Sequence, residues 1–417
     1  MLTRRLLLQA GLGAIGAAGA GLVARSSTSS ASVDPRQFGA VGDGVANDAA
    51  AVLAAMRLAV ERGLPLDGGD TLFGISGDLR IANQQHPWIR SLRLRQLSPS
   101  GARKSLHLVD CQAIRIDRLD IDVGGAKAVG YMNESGGLWI DGGSGHRVAN
   151  VDVSGHGKNS LIAVWNTRDS LYTGLHVHDV SFDDRGARDD VVQGIWLNAN
   201  TNCILQNAVV ADLTGNASFR GRSFPNLRTR GIALGGNRAC TVIDALVQNV
   251  DQGIDFTGSD GNVGCSVVRG RAFQCTSVGL KFANSAVDCR ATGFTAERCG
   301  AQGFLISGPS DVLPHSTANI ELSDCVALDS GYNHFPTATA GFMIQAGAGA
   351  KGPLVFYPRD IRLVRCSAID RQADKTMDFG FYSNVVAQSG SVPPNRMTAC
   401  RSSGHRLEAR HGSWLVD

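Results

Sequence analysis

The amino-acid sequence predicts an all-β solenoid, a single-stranded parallel β-helix with one α-helix covering its N-terminal end. Three observations support this prediction: a recurring glycine tetrapeptide, steps of 22, 26 and 24 residues between its copies from Gly231 to Gly303, and a lone alanine-rich segment near the start. Repeats of this length cannot bury a core alone and must stack on one another. With 51 glycines and only 15 phenylalanines, the core is expected to consist of many small aliphatic layers.

The tetrapeptide is a glycine, an apolar residue, any residue and a second apolar residue. Alternate residues of a strand face opposite sides, so both apolar positions point inward and the third position points outward. Stacking the repeats therefore predicts one outward row of side chains, here named the outer column. Its predicted members are Trp139, Trp196, Ala233, Asp255, Lys281, Leu305 and Met343.

The first 31 residues are predicted to be an export signal rather than part of the fold. Arg4 and Arg5 precede a short Gly/Ala-rich apolar stretch, which is typical of a twin-arginine signal cleaved near Ala31. A membrane-spanning helix is the competing interpretation, but the apolar stretch is short and a serine-rich tract follows it. The protein is therefore expected in the periplasm or outside the cell, with no membrane partner after signal removal.

Composition excludes several classes of function. The 40 basic and 37 acidic residues become balanced once the three arginines of the signal are removed, so nucleic acid is not an expected partner. The ten cysteines are widely spread. Cys265 and Cys289 are one repeat apart, which favours buried stacking on successive turns over metal binding.

Residues of about 33–80 are predicted to cap the solenoid. A strand around Arg36–Phe38 is followed by a glycine-rich loop, and Asn47 and Asp48 are expected to accept the free amide hydrogens of a helix ending near Gly63. Only short strands follow from about Ile81, so residues 32–417 are predicted to form one domain of about ten turns.

The segment Gln37–Asp48 closely resembles the opening of the pectate-lyase-like superfamily. That group contains polysaccharide lyases and polygalacturonase-type glycoside hydrolases, all built as right-handed parallel β-helices. The resemblance implies the same fold, structural rather than catalytic roles for Asp43 and Asp48, and a polysaccharide or oligosaccharide as partner. The polygalacturonase signature is incomplete, because Gly155-His156-Gly157 occurs without the Asn-Thr-Asp and Arg-Ile-Lys motifs.

Asp255 and Lys281 are the leading catalytic candidates. They occupy the same repeat position on consecutive turns, and parallel strands lie about 4.8 Å apart, so the side chains should be neighbours. A surface ion pair is the simplest alternative. Arg230 and Asp251 are expected nearby.

Two chemistries would use these side chains differently. For β-elimination from a uronate, Lys281 would be the base, Arg230 would bind the carboxylate, and Asp255 would orient these groups or bind Ca²⁺. For glycoside hydrolysis, Asp255 would pair with Asp251 or with an acid of the Asp183–Asp190 insertion.

The candidate substrate-binding residues are Trp139, Trp196, Gln252, Asn198 and His156. The two tryptophans lie in the outer column, where they would either stack on sugar rings or be buried under an insertion. His156 would be a substrate-facing corner residue, although a solvated His is the commoner case.

His176 and His178 alternate in a strand and so face the same side, which is compatible with metal binding. The sequence shows no third ligand, and no metal site is predicted.

The sequence thus predicts an exported carbohydrate-active enzyme. A lyase acting on an acidic, uronate-containing glycan is favoured because Lys281 is a plausible base. A glycoside hydrolase and a non-catalytic glycan-binding protein are the alternatives.

Overall fold

The computed structural model describes residues 31–97, 104–124, 136–156, 160–181, 191–214, 217–219, 222–224, 226–258, 260–308, 317–332, 337–348, 355–385 and 395–416. Residues Ser32–Asp417 form one compact unit. The predicted export signal lies outside the described residues apart from Ala31, and so does the whole Asp183–Asp190 insertion. In the described part of the chain, no helix is both long and apolar enough to cross a membrane.

Two long parallel sheets form the body of the molecule. Within the described residues the front sheet has twelve strands, one from each turn, compared with the prediction of about ten turns. Its strands are Leu79–Ala82, Lys104–Val109, Gly136–Asp141, Ser160–Trp165, Val192–Asn198, Thr229–Gly235, Gln252–Thr257, Val278–Phe282, Gln302–Ser307, Ala340–Gln345, Phe379–Ser383 and Glu408–His411.

The back sheet has 23 strands, and most turns contribute two of them, as the second recurring strand in the sequence predicts. Its strands are Asp43–Asn47, Leu66–Ile75, Trp88–Gln96, Arg115–Ile116, Leu119–Asp122, Arg147–His156, Leu171–Ser181, Ile204–Gln206, Val209–Ala211, Leu213–Thr214, Thr241–Ile243, Leu246–Gln248, Ser266–Val268, Arg271–Phe273, Arg290–Thr292, Thr295–Glu297, Ala318–Ser323, Val326–Leu328, Arg359–Val364, Ser367–Ile369, Asn395–Thr398, Arg401–Ser403 and Trp414–Val416. Two small antiparallel hairpins, Ala217–Phe219 with Arg222–Phe224 and Gly347–Ala348 with Val355–Phe356, complete the strands.

The core lies between these sheets and is built in layers. Rings at equivalent repeat positions stack along the axis, with centroids 4.5 Å apart for Phe304 and Phe342 and 5.1 Å for Phe342 and Phe381. Cys265 and Cys289 are buried and free, as predicted. Because every turn repeats the same inward positions, each layer buries its neighbours and the all-β fold class is confirmed.

The N-terminal cap differs from the prediction in two details. Pro35–Phe38 forms a short 3₁₀ helix and not a strand, because Pro35 fixes the backbone and the Asp34 carboxylate accepts a hydrogen bond from Arg36 N at 2.9 Å. The predicted α-helix is present as Ala49–Arg62 and ends at Gly63, whose φ of 61° is left-handed. The Asp48 side chain does not cap this helix. Its oxygens instead accept hydrogen bonds from Val41 N and Gly42 N, at 2.7 and 3.0 Å, and so hold the glycine-rich loop.

The repeated glycines are required for space and not for an unusual backbone angle. None of the seven has a left-handed φ. A Cβ built on Gly231 would lie 2.1 Å from Val247 Cγ1 of the back sheet, and one on Gly194 would lie 2.4 Å from Val210 Cγ1. The glycine therefore marks the place where the front strand approaches the back sheet most closely.

Replacing Gly231 by Ala should destabilise the fold by about 1–3 kcal/mol, because the new methyl group overlaps Val247. The double variant Gly231→Ala/Val247→Ala should lose less stability than the sum of the losses in the two single variants. Urea unfolding of the wild type, both single variants and the double variant measures the difference. Strictly additive costs would show that contact with Val247 is not why glycine stands here.

Candidate active site

The outer column exists as predicted and runs along the front sheet. Strand pairing places Trp139 beside Ala163, Ala163 beside Trp196, and Trp196 beside Ala233. The same register continues in order through Asp255, Lys281, Leu305 and Met343. It also extends beyond the predicted members, through His107 to Arg80 at one end and through Tyr382 to His411 at the other.

Asp255 is the centre of a buried charge cluster in this column. Arg230 Nε lies 2.8 Å from Asp255 Oδ2, and Lys281 Nζ lies 3.4 Å from Oδ1. The carboxylate has no exposed surface, whereas the Arg230 and Lys281 side chains remain 21% and 18% exposed. The expectation of an exposed Asp255 was therefore wrong, because the two long cationic side chains cover it.

The contacts within this cluster are ion pairs more than hydrogen bonds. Within the described residues, neither oxygen of Asp255 accepts a well-aligned hydrogen bond, although both cations are within ion-pair distance. A second acceptor holds Lys281, since its Nζ donates to Gln252 Oε1 at 3.3 Å. Two partly exposed cations therefore share one buried anion at the surface of the front sheet.

Asp251 is a second buried carboxyl group, on the turn that leads into the strand Gln252–Thr257. It is 4% exposed, and this burial raises its pKa to about 6. Ser277 Oγ donates to its Oδ1 at 2.7 Å and Arg228 N to its Oδ2 at 3.0 Å, and these bonds offset part of the rise. A carboxyl group with such a pKa can exchange a proton near neutral pH.

A groove of about 420 Å³ brings Asp251, Gln252 and Lys281 together. Polar side chains from later turns line its other part, and sequence reasoning did not single these out: Ser277, Gln302, Gln345, Tyr382 and Asn384. Tyr382 could have been found from the repeat, because Gly380-Phe381-Tyr382-Ser383 is a further copy whose last apolar position holds a serine. The groove combines one cation, Lys281, with a carboxyl group of raised pKa and amide groups, which suits a polar substrate.

The tryptophans on this face form one cluster. Trp139 and Trp165 have ring centroids 5.1 Å apart, and Trp165 and Trp196 have theirs 4.7 Å apart. Trp139 is only 1% exposed, with Lys104 Nζ 3.9 Å above its ring. Trp139 therefore has almost no exposed surface on which a sugar ring could stack. Trp196 is partly exposed.

Two other substrate-binding candidates occupy different places. Asn198 lies on the front sheet two residues beyond Trp196, in register with Trp165. His156 pairs with Ser181 at the end of a back-sheet strand, so the structure does not bring it to the outer column.

A calcium ion does not fit the Asp255 cluster. Both carboxylate oxygens already face cations, and Ca²⁺ needs several anionic or neutral oxygen ligands. Among the described residues, the one group of three metal-capable side chains lies on the back sheet.

Comparisons with known proteins show the fold. No family profile and no curated protein matches the sequence. An exopolygalacturonase from Thermotoga maritima matches with a TM-score of 0.55 and 10% identity, over 93% of this chain and 92% of its own. The family 28 exopolygalacturonase of Yersinia enterocolitica gives 0.53 and 11%, over 92% and 78%. An N-terminal fragment of bacteriophage phi29 gene product 12 gives 0.58 and 11%, over 90% and 65%.

These similarities, together with the parallel sheets, establish that the chain has the right-handed parallel β-helix fold. The fold expected from the opening motif is thereby confirmed. At such low identity the likeness concerns the fold, and chemistry has to be argued from the site.

Proposed function

We propose that this protein is a carbohydrate-active enzyme that cleaves an acidic polysaccharide or oligosaccharide by β-elimination in the groove of the front sheet. The observation that carries the proposal is the pair of cations anchored on buried Asp255 next to Asp251, a carboxyl group whose pKa is about 6. That two proteins of this fold are exopolygalacturonases supports a glycan substrate.

The first step is recognition of a uronate carboxylate. Arg230 and Lys281 are partly exposed, and Asp255 fixes their charged ends in place. Both partners of Lys281 Nζ are acceptors, which suits a cationic donor better than the base that the sequence predicted. We therefore assign Lys281, with Arg230, to binding the substrate carboxylate.

The second step is removal of the proton beside that carboxylate. Asp251 in its ionised form accepts the proton, and the developing negative charge spreads into the carboxylate held by the two cations. The bond to the leaving glycosidic oxygen then breaks and a carbon–carbon double bond forms. Water supplies the proton that the leaving oxygen takes up.

Hydrolysis is less well supported by the geometry. It needs two carboxyl groups flanking the scissile bond. Asp251 could serve as one of them, but Asp255 has no exposed surface and is occupied by two cations.

A glycan panel tests the proposed reaction. The purified protein is incubated with uronate-containing and neutral polymers, and both ultraviolet absorbance and reducing ends are followed. Elimination predicts new absorbance from unsaturated uronate together with new reducing ends on acidic polymers only. Reducing ends without absorbance would establish hydrolysis, and retention on a glycan without products would establish binding alone. Either result would overturn the proposal.

Trp196→Ala should raise KM about tenfold and change kcat much less, because a stacked sugar ring contributes mainly uniform binding. Trp88→Phe is the matched control, since Trp88 lies on the back sheet and should leave both constants unchanged. Steady-state kinetics on the preferred glycan measure the effect. A fall in kcat with unchanged KM would argue against a sugar subsite at Trp196.

We further propose that residues 1–31 export the protein, so that it meets its substrate in the periplasm or outside the cell. The Arg4-Arg5 pair before the apolar stretch supports this. Arg4→Lys combined with Arg5→Lys should retain the protein in the cytoplasm. Unchanged export of the double variant would contradict a twin-arginine route.

A further inference from the structure

We propose a divalent transition-metal site, of the kind that binds Zn²⁺, formed by Asp152, His176 and His178. These three side chains lie on the outer face of the back sheet, whereas the proposed active site lies on the front sheet. The site is thus separate from the groove and independent of the proposed glycan chemistry.

Strand register brings the three side chains together. Asp152 and His176 are direct partners on neighbouring parallel strands, Arg147–His156 and Leu171–Ser181. His178 follows His176 by two residues on the same face, and the two imidazole rings have centroids 4.5 Å apart. Two imidazoles and one carboxylate form a ligand set that suits Zn²⁺.

The ligand atoms of the three side chains already lie close together. His176 Nδ1 lies 3.0 Å from Asp152 Oδ2, and His178 Nε2 lies 3.1 Å from Oδ1. One ligand atom from each residue falls within 4.8 Å of the others. Ligands bound to Zn²⁺ at about 2.0–2.1 Å in a tetrahedron are about 3.3 Å apart. The two His–Asp distances are close to this value, and the two imidazoles would approach each other by up to about 1.5 Å on binding.

A further carboxylate orients one of the histidines. His178 Nδ1 lies 2.9 Å from Asp179 Oδ2, which leaves Nε2 directed at the cluster. Carboxylate-bound imidazoles of this kind are typical of metal sites, where the second partner fixes the ring and its tautomer. A bulge between His178 and Val180, with a φ of 50° at Asp179, places this carboxylate.

The neighbouring turn does not compete for the ion. Asp120, the register partner of Asp152, is already paired with Arg93 at 3.2 Å and Arg118 at 2.9 Å. The side chains of His176 and His178 are 41% and 28% exposed, so solvent can supply a fourth ligand. A bound ion would link two adjacent turns of the solenoid and stabilise them.

The test is calorimetric titration of Zn²⁺ into the whole protein, purified without a histidine tag. We expect one saturable site whose affinity falls at least tenfold in Asp152→Asn and in His178→Ala. His86→Asn is the matched control, because His86 is exposed and has a φ of 53°, which Asn tolerates. This variant should bind Zn²⁺ like the wild type.

Two further measurements keep the proposal falsifiable if a variant folds poorly. Zn²⁺ should raise the thermal unfolding midpoint of the wild type and of His86→Asn, but not that of Asp152→Asn. Co²⁺ in place of Zn²⁺ should give the visible absorption of a four-coordinate site. No saturable binding by the wild type, or equal binding by all variants, would overturn the proposal.

Discussion

Asp251→Asn should lower kcat/KM at least a hundredfold, because the amide cannot accept the proton beside the uronate carboxylate. Loss of a positioned acid or base typically costs this much. The substitution keeps the size of the side chain, so circular dichroism and the unfolding midpoint should change little. Steady-state kinetics on the acidic glycan that the panel identifies measure the loss.

The pH profile gives an independent test of the same residue. Burial raises the pKa of Asp251 to about 6, above its ordinary value of 3.8. A base must be ionised, so kcat/KM should fall as the pH drops below about 6 and should level off above it. The opposite profile, with activity lost as pH rises through 6, would make Asp251 a general acid and favour hydrolysis. Full activity of Asp251→Asn would place the proton transfer elsewhere.

Asp255→Asn should have the largest effect on stability, about 3 kcal/mol, together with a large loss of activity. Removing one partner of a buried ion pair leaves the other charges uncompensated, and here both Arg230 and Lys281 lose their anion. Without that anion the two cations also lose the position in which they bind the substrate. Denaturant unfolding and kinetics measure the two effects.

Asp244→Asn is the matched control for this prediction. Asp244 pairs with Arg269 at 2.9 Å on the surface of the back sheet, where both side chains are well exposed. Solvent screens such a pair, so little change in stability is expected. Equal effects of the two substitutions would show that the Asp255 cluster has no special structural role.

The fold could be predicted because its determinants are local and periodic. Side chains alternate along a strand, so the third position of each glycine tetrapeptide had to fall in one outer column, and Asp255 had to lie beside Lys281. The glycine itself also has a local cause, the close approach of residues such as Val247. The strand predicted around Arg36–Phe38 was wrong, because Pro35 at the start and the Asp34 cap favour a 3₁₀ helix there.

The chemistry of the site could be predicted only in part. Which residues share a column follows from register, but burial depends on how long side chains on adjacent turns fold over their neighbours. Asp255 was expected at the surface and is covered by Arg230 and Lys281, and Trp139, for which burial was one of two alternatives, has Lys104 over its ring. Asp152 likewise contacts His176 and His178 from the preceding turn, 24 residues upstream of His176. It can be found in the sequence only by searching one turn length before the two histidines.

The most direct test of the proposed function compares one acidic glycan with the same polymer after its carboxyl groups have been reduced to alcohols. The absorbance of unsaturated uronate is followed, with release of reducing ends as a second readout. We expect the acidic polymer to be cleaved with new absorbance, and the reduced polymer to be neither cleaved nor bound, because Arg230 and Lys281 then have no anion to bind. Cleavage of both polymers at similar rates would contradict recognition of a uronate carboxylate by Arg230 and Lys281.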